Sequence, residues 1–404
     1  MITFDDAFRL MMNAVACMGT ERVSIDEALG RILAEDVVSD ISMPPFDKSA
    51  MDGYACRRAD LANELTVLET IPAGYTPQKA IGPNQCSKIM TGAVVPDGAN
   101  CVIMVEYTKQ QGKGKIRFIG KETRDNICLK GEDIKAGDIV LRKGSMIKVQ
   151  HIAVLAAVGI SNPLVANRPN VGIAATGDEL IEPSQKPHGG QIRNSNSYQL
   201  TAHVKSAGGL PTNYGIVPDN RESMNSILKK AISENNVIIL SGGVSAGDFD
   251  IVPQILAENG FSLLFEKIAI KPGRPMVFGV KKLPNGKKTG NSDVDQIFCF
   301  GMPGNPVSVF TMFELLARPF LAKMMGHDFR PHITYGFLEK KLTRKNTEVD
   351  SWMPVQVEEG GTVTLVEYHG SAHINAMCQA DGLLCVPAGV EEIKEGSKVA
   401  VRQI

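Results

Sequence analysis

The segment Ser241-Gly-Gly-Val-Ser-Ala-Gly-Asp-Phe-Asp250 concentrates hydroxyls, glycines and carboxylates in ten residues. Gly242 and Gly243 let backbone N–H groups approach an anion, and Ser241 and Ser245 add hydroxyl donors. A helix opening near Asp250 adds the positive end of its dipole. A glycine pair alone is more often a tight turn. Two further segments share this character: Thr176-Gly-Asp-Glu-Leu180 and Met302-Pro-Gly-Asn-Pro306, the latter bringing Pro303, Gly304 and Asn305. Each of the three follows a short apolar run, at 171–175, 236–240 and 297–301. Ligands of open α/β sheets bind at the carboxyl ends of strands. Three such loops on one sheet edge therefore form a phosphate cradle. A fourth segment, Lys267-Ile-Ala-Ile-Lys271-Pro-Gly-Arg274-Pro, fixes Lys271 and Arg274 with prolines and glycine, as anion binding requires. Glu179, Asp219 and Asp250 add carboxylates, which beside phosphates suggest Mg²⁺. Helix capping is an equal reading of Asp250.

The elements that position these residues read as follows. Between 171 and about 325, strand and helix patterns alternate. Strands fit at 171–175, 212–217, 236–240, 263–270, 276–280 and 297–301; helices fit at 198–207, 221–233, 250–258 and 305–321. This alternation implies a mostly parallel sheet covered on both faces. Asn194 to Asn196 are N-cap candidates, and Asn305-Pro306 places proline at a first helical position. Residues 281–295 read as a polar hairpin tip. Helical periodicity marks 4–18, 26–35 and 148–160. Short β-type runs broken by Gly/Pro turns fill 45–140, and 332–404 return to short strands spaced for a small β-barrel. The fold class is multidomain α/β plus β. Its expected parts are a helical connecting region (1–44 with 141–168), a β-rich arm (45–140), a doubly wound mostly parallel α/β domain (169–326) and a C-terminal β-barrel (327–404).

Composition excludes several classes. The chain has 404 residues, is 43% hydrophobic and 22% charged, and has a formal net charge of −1. It lacks the basic excess of a nucleic-acid or membrane-surface binder. The N-terminus is acidic and unlike a signal peptide, and no apolar run approaches the roughly 18 residues of a membrane span. The eight cysteines form no Cys-x-x-Cys pair and the seven histidines show no zincin spacing. Reduced thiols packed as small hydrophobes in a cytoplasmic protein fit this pattern. From the residues alone, the chain carries an α/β domain that binds a phosphorylated ligand with Mg²⁺.

One stretch resists that reading. Pro45-Phe-Asp-Lys-Ser-Ala-Met-Asp-Gly-Tyr-Ala55 is too broken for a helix and too polar for a buried strand. By itself it reads as a rigid surface turn. Together with Met90-Thr-Gly-Ala, Gly131-Glu-Asp-Ile, Thr176-Gly-Asp-Glu-Leu, Ser241-Gly-Gly-Val-Ser, Lys271-Pro-Gly-Arg-Pro and Met302-Pro-Gly-Asn-Pro-Val-Ser it resembles, across nearly the whole chain, the molybdopterin molybdenumtransferase (MoeA) family, which includes the E domain of gephyrin.

The resemblance implies a four-subdomain fold and an elongated homodimer. It implies Mg²⁺-dependent insertion of molybdate into adenylylated molybdopterin (molybdopterin-AMP) with release of AMP. The molybdopterin adenylyltransferase and molybdoenzyme chaperones are possible protein partners. By resemblance, Asp52, Thr91 and Asp133 of one subunit complete a site built by Glu179, Asp219, Asp250, Lys267 and Lys271 of the other. Asp52, Asp133, Glu179 and Asp250 are the catalytic candidates, and Asp250, Glu179 and Asp219 the metal ligands. Thr91, Thr176, Asp219, Ser241, Gly242, Gly243, Ser245, Lys267, Lys271, Arg274, Pro303, Gly304, Asn305, Ser308 and Ser371 are the substrate-binding candidates.

Two departures stand out. Arg274 occupies a position where the family commonly has lysine. Glu348-Val-Asp-Ser-Trp-Met-Pro354 lacks the arginine that the family usually carries there, leaving Arg344 or Lys345 as substitutes. The alternatives are a molybdopterin adenylyltransferase and a non-catalytic gephyrin-like scaffold. The first usually has Gly-Gly-Thr-Gly where this chain has Gly242-Gly-Val-Ser245. Intact acidic and basic positions, and no fused second domain, weigh against the second.

Overall fold

The computed structural model describes residues 1–244, 251–284, 294–367 and 370–404. The chain forms two compact units. One comprises 1–34, 144–147 and 164–404, and the other 35–143 and 148–163.

The larger unit is built on a six-stranded sheet. Asn170–Thr176 lies between Leu210–Val217 and Val237–Ser241, followed by Gln296–Met302, all four parallel. Pro275–Lys282 and Ser262–Lys267 extend it as antiparallel pairs. Val237–Ser241 is buried at every position, as a central strand covered on both faces must be. Phe278, Phe298, Phe300 and Phe320 meet on one face, with ring centroids 4.9–6.3 Å apart. Each such ring stabilises the fold by roughly 1.5–3 kcal/mol through burial alone. Helices Phe4–Asn13 and Asn196–Ser206 pack on that face, through Ala7 and Met11 and through Leu200 and Val204. Arg221–Glu234 and Val252–Glu258 cover the other, through Met224, Leu228, Ile255 and Leu256. The doubly wound sheet expected from the alternating pattern is present.

The C-terminal strands close on themselves. Asp350–Val357 pairs with Thr362–Leu365, which pairs with Ile333–Leu338, then Lys398–Gln403, then Gly382–Val386, which pairs back to Asp350–Val357. Val355, Val363, Leu384 and Val401 fill the barrel. A two-residue strand from the α/β region, Ile270–Lys271, adds to Asp350–Val357 in parallel, with Lys271 opposite Ser351.

The smaller unit holds a curled six-stranded sheet in the order Cys101–Met104, Gly53–Cys56, Gln85–Ile89, Glu64–Ile71, Lys115–Phe118, Thr108–Gln110. Cys86, Cys56 and Cys101 stand in register across three strands and are fully buried. Burial pushes the Cys86 thiol up to about 12. These thiols pack as small hydrophobes.

Three helices differ from expectation, the first of them, marked at 4–18, stopping at Asn13. The periodicity at 26–35 gives only the 3-10 turn Ile25–Glu27. Gly30 adopts φ +76°, and Ile32 and Leu33 bridge to Met146 and Val165 instead of continuing a helix. The helix expected at 305–321 runs to Met324 but contains a π-turn at Phe313–Ala317. There Glu314 is buried against Arg318 and His203, at 2.7 and 3.1 Å.

Candidate active site

The four parallel strands end on one edge, where the loops that follow three of them, Asn170–Thr176, Val237–Ser241 and Gln296–Met302, help wall a cavity of about 340 Å³. Thr176 closes the first strand. Ser241 closes the central one, and Gly304 and Asn305 follow the strand Gln296–Met302. All four residues, with Glu179, line the cavity.

Asn196 ties these loops together. Its Nδ2 donates to Ser241 Oγ at 2.8 Å and to the Gly304 carbonyl at 2.7 Å. Ser241 Oγ in turn donates to the Pro303 carbonyl at 3.3 Å. Asn196 Oδ1 is sealed from solvent and has no hydrogen-bond partner among the described residues. Leaving a buried acceptor unpaired costs about 1–3 kcal/mol, which a donor on a bound ligand would recover. Asn194, not Asn196, serves the helix start, accepting from Ser197 N at 3.2 Å. Asn305 likewise makes no cap, and its Nδ2 donates to Ser371 Oγ at 2.7 Å. This bond fixes the barrel loop that places Ala372 and Ile374 on the cavity wall.

The first glycine of the pair is required by space. A Cβ on Gly242, at φ +101°, would lie 2.5 Å from the Thr176 carbonyl oxygen. Gly242 N instead donates to the Met302 carbonyl at 3.0 Å. The chain crosses the end of the neighbouring strand at backbone contact.

Asp219 follows Leu210–Val217 on the same edge, and its N–H donates to Asp178 Oδ1 at 3.0 Å. Burial raises the Asp219 pKa, and the charges of Asp178 and Glu179 add to the rise. Thr176 lies close enough to offset part of it. Yet among the described residues Thr176 Oγ1 and Asp219 Oδ1, both sealed, complete no hydrogen bond of good geometry. A carboxylate strained by burial and like charge, beside an unpaired hydroxyl, suits a hard cation. Mg²⁺ commonly takes only one or two carboxylates and completes its shell with water and substrate phosphate. Among the described residues no group of three His, Cys, Asp or Glu side chains forms a full protein cage. Ser245 and Asp250 lie outside the described residues.

The remaining candidates fall elsewhere. Lys267 ends its strand on the same sheet edge, Lys271 ends the short strand Ile270–Lys271 beyond it, and Arg274 follows in the next turn. All three are exposed, and none lines the cavity. Ser308 is buried inside the helix Pro306–Met312. Arg344 commits four donors elsewhere in the barrel. Nε and Nη1 donate to the Val390 and Val349 carbonyls at 2.6 and 2.7 Å, Nη1 to Ser351 Oγ at 2.9 Å, and Nη2 to the Pro387 carbonyl. It is a structural brace, so of the two substitutes only exposed Lys345 remains.

Asp52, Thr91 and Asp133 belong to the smaller unit. Thr91 N and Oγ1 both donate to Asp52 Oδ1, at 2.6 and 2.9 Å. The Thr91 N–H is the main cause that lowers the Asp52 pKa, with the hydroxyl second. Gly53 follows because its Cβ would meet the Ile103 carbonyl oxygen at 2.0 Å. The stretch is thus a rigid turn leading into a buried strand, with an ionised, fully exposed carboxylate at its tip. Asp133 is also exposed, and its N–H donates to the Met43 carbonyl at 3.1 Å.

Sequence reasoning missed Asn196, Arg193, Ile192 and Ile374 as cavity wall. The run Asn194-Ser-Asn196 was the available signal, since two amides are one more than a cap needs.

Comparison with known proteins agrees with this architecture. Residues 2–159 match the MoeA N-terminal region (domain I and II). Residues 172–323 match a probable molybdopterin binding domain, and 339–404 the MoeA C-terminal region (domain IV). A molybdopterin molybdenumtransferase of Staphylococcus epidermidis is 35% identical over 99% of this chain and 95% of its own length. One from Staphylococcus aureus is 32% identical over the same shares. The crystal structure of a molybdopterin biosynthesis MoeA protein from Pyrococcus horikoshii superposes with a TM-score of 0.84, at 32% identity over 100% of both chains. The chain therefore belongs to the molybdopterin molybdenumtransferase (MoeA) family of molybdenum cofactor biosynthesis enzymes.

Proposed function

We propose that the chain inserts molybdate into adenylylated molybdopterin in an Mg²⁺-dependent reaction that releases AMP. The observation that carries this reading is the cavity at the strand ends, where Asn196 locks the Ser241 and Gly304 loops into one anion cradle. The backbone N–H of Gly243, with the hydroxyls of Thr176, Ser241 and Ser245, holds the phosphates, while Gly242 gives its own N–H to the Met302 carbonyl and keeps the loop in place. Pro303, Gly304, Asn305 and Ser371 shape the wall, and Ser308 anchors the helix behind it. Asp219, with Glu179 and Asp250, would hold Mg²⁺, which would supply positive charge beside the phosphate oxygens. Lys267, Lys271 and Arg274 reduce the repulsion between molybdate, dithiolene and phosphate, all of them anionic. Arginine offers molybdate a planar fork of donors where lysine offers a point charge.

The site is completed in trans. In a homodimer the Asp52–Thr91 turn and Asp133 of one subunit reach the cavity of the other. The low pKa of Asp52 supports this role, since it keeps the carboxylate ionised and able to orient a water or the metal. Among the described residues no helix is long and apolar enough to cross a membrane, and the setting proposed for this chemistry is the cytoplasm. We also propose the four-part division of the chain at 1–44 with 141–168, 45–140, 169–326 and 327–404.

The test is AMP release from adenylylated molybdopterin in Mg²⁺ buffer, with and without molybdate. Molybdate-dependent release establishes the reaction. Tight binding without release confines the protein to a carrier or scaffold role. Absence of binding refutes the proposal. Light scattering that shows only monomer at micromolar concentration refutes the site in trans.

A further inference from the structure

A second cavity of the larger unit lies away from the strand ends. It measures about 240 Å³, and its charged lining is Arg168, Lys205 and Arg318, with His327 beside them and no acidic residue. Its floor is apolar: Ile32 and Met325 pack in a small cluster of their own, and Phe329 adds a ring. Arg318 enters already neutralised, because Glu314 takes two of its hydrogen bonds and Ser206 a third. Arg168 differs. Its Nε is sealed from solvent and makes no hydrogen bond among the described residues. Burial lowers its pKa, and the like charge of Arg31 adds to this, against Glu21. His327 Nδ1 faces the Gly144 carbonyl at 2.7 Å. A carbonyl only accepts, so Nδ1 carries the proton and Nε2 is the ring's remaining polar atom.

A partly buried guanidinium that lines an apolar cavity is costly unless an anion pairs with it. The excess of positive lining charge defines what that is. We propose that this cavity binds a small organic oxyanion, a carboxylate or phosphate monoester on an apolar body, with Arg168 and Lys205 holding the anion and Ile32, Met325 and Phe329 the body. The site is independent of the proposed reaction, since none of these residues lies at the strand ends.

The test is calorimetric titration of the full chain with benzoate, phenyl phosphate, inorganic phosphate and the neutral benzamide. Saturable binding of benzoate or phenyl phosphate is expected, and which of the two is tighter identifies the headgroup. Benzamide and Arg168→Gln should each weaken binding roughly tenfold or more, the scale of one charge-assisted hydrogen bond. Thr176→Val, at the strand-end cavity, should leave this binding intact. Equal affinity for benzamide overturns the proposal. So does binding that Thr176→Val removes while Arg168→Gln keeps it, or binding of inorganic phosphate alone, or no saturable binding at all. Should Arg168→Gln melt early, Lys205→Glu at the exposed helix end serves instead. Unchanged affinity in that variant is equally fatal.

Discussion

Gly242 and Gly243 are adjacent, both glycine and both at positive φ, yet the structure assigns them different tolerances. Gly243 sits at φ +63°, inside the left-handed basin, and its Cβ would meet a Val252 methyl at 3.0 Å and Thr176 Oγ1 at 3.2 Å. Alanine there costs the left-handed penalty of about 1–2 kcal/mol, and a side-chain methyl can give way. Gly242 sits at φ +101°, outside that basin, and its Cβ would stand 2.5 Å from a backbone oxygen and 2.7 Å from Thr176 Oγ1. The backbone penalty there is about 1–3 kcal/mol, and relieving the overlap costs about 1–3 more. The loop must also move off its bond to Met302. Gly242→Ala should therefore destabilise by roughly 2–6 kcal/mol, and Gly243→Ala by roughly 1–2. Urea unfolding reads the difference, and AMP release from adenylylated molybdopterin reads the cradle. Gly242→Ala should lose release even at temperatures where it stays folded. Equal destabilisation in the two variants, or a milder effect at Gly242, would refute the claim that backbone contact with Thr176 sets this loop.

Asn196→Ala removes two hydrogen bonds at 2.7 and 2.8 Å. It should weaken substrate binding by roughly tenfold, about 1.4 kcal/mol, with a smaller change in melting temperature; a binding isotherm checks it. Asp52→Ala should leave folding intact by circular dichroism and stop AMP release, whereas normal turnover removes Asp52 from the mechanism. Burial alone would raise the Glu314 pKa, but the hydrogen bonds from His203 and Arg318 reverse this and hold it at about 2, below its ordinary 4.5. A depressed folded-state pKa gives stability that is present above 4.5 and lost as pH falls toward 2, here on the order of 3 kcal/mol. Glu314→Gln should remove that slope from the acid melting profile, and an unchanged slope would exclude Glu314 as its source.

The parts of the site legible in the sequence were those written in glycine and proline. Ser241-Gly-Gly and Met302-Pro-Gly-Asn announce sharp turns, and apolar runs before them place those turns at strand ends. Asn196 was not legible because amide residues before a helix have an ordinary explanation. Only the fold shows Asn194 taking that role and leaving Asn196 free to bridge two loops. Arg344 was misread for a related reason. Its charge suggested an anion, while its partners are carbonyl groups that only the closed barrel brings together. The missing helix at 26–35 has the same origin. Local periodicity yielded to bridges with Met146 and Val165, which are distant in sequence.

The short strand Ile270–Lys271 has a consequence for how the chain could be divided. Lys271 is part of the α/β sequence, yet its backbone is stitched to Ser351 of the barrel, and Arg344 braces that same serine. An α/β segment transplanted alone would keep its glycine turns and lose the template that aims this cation. The placement of Lys271 is thus inherited from the barrel, and the two should be exchanged between relatives only as one cassette.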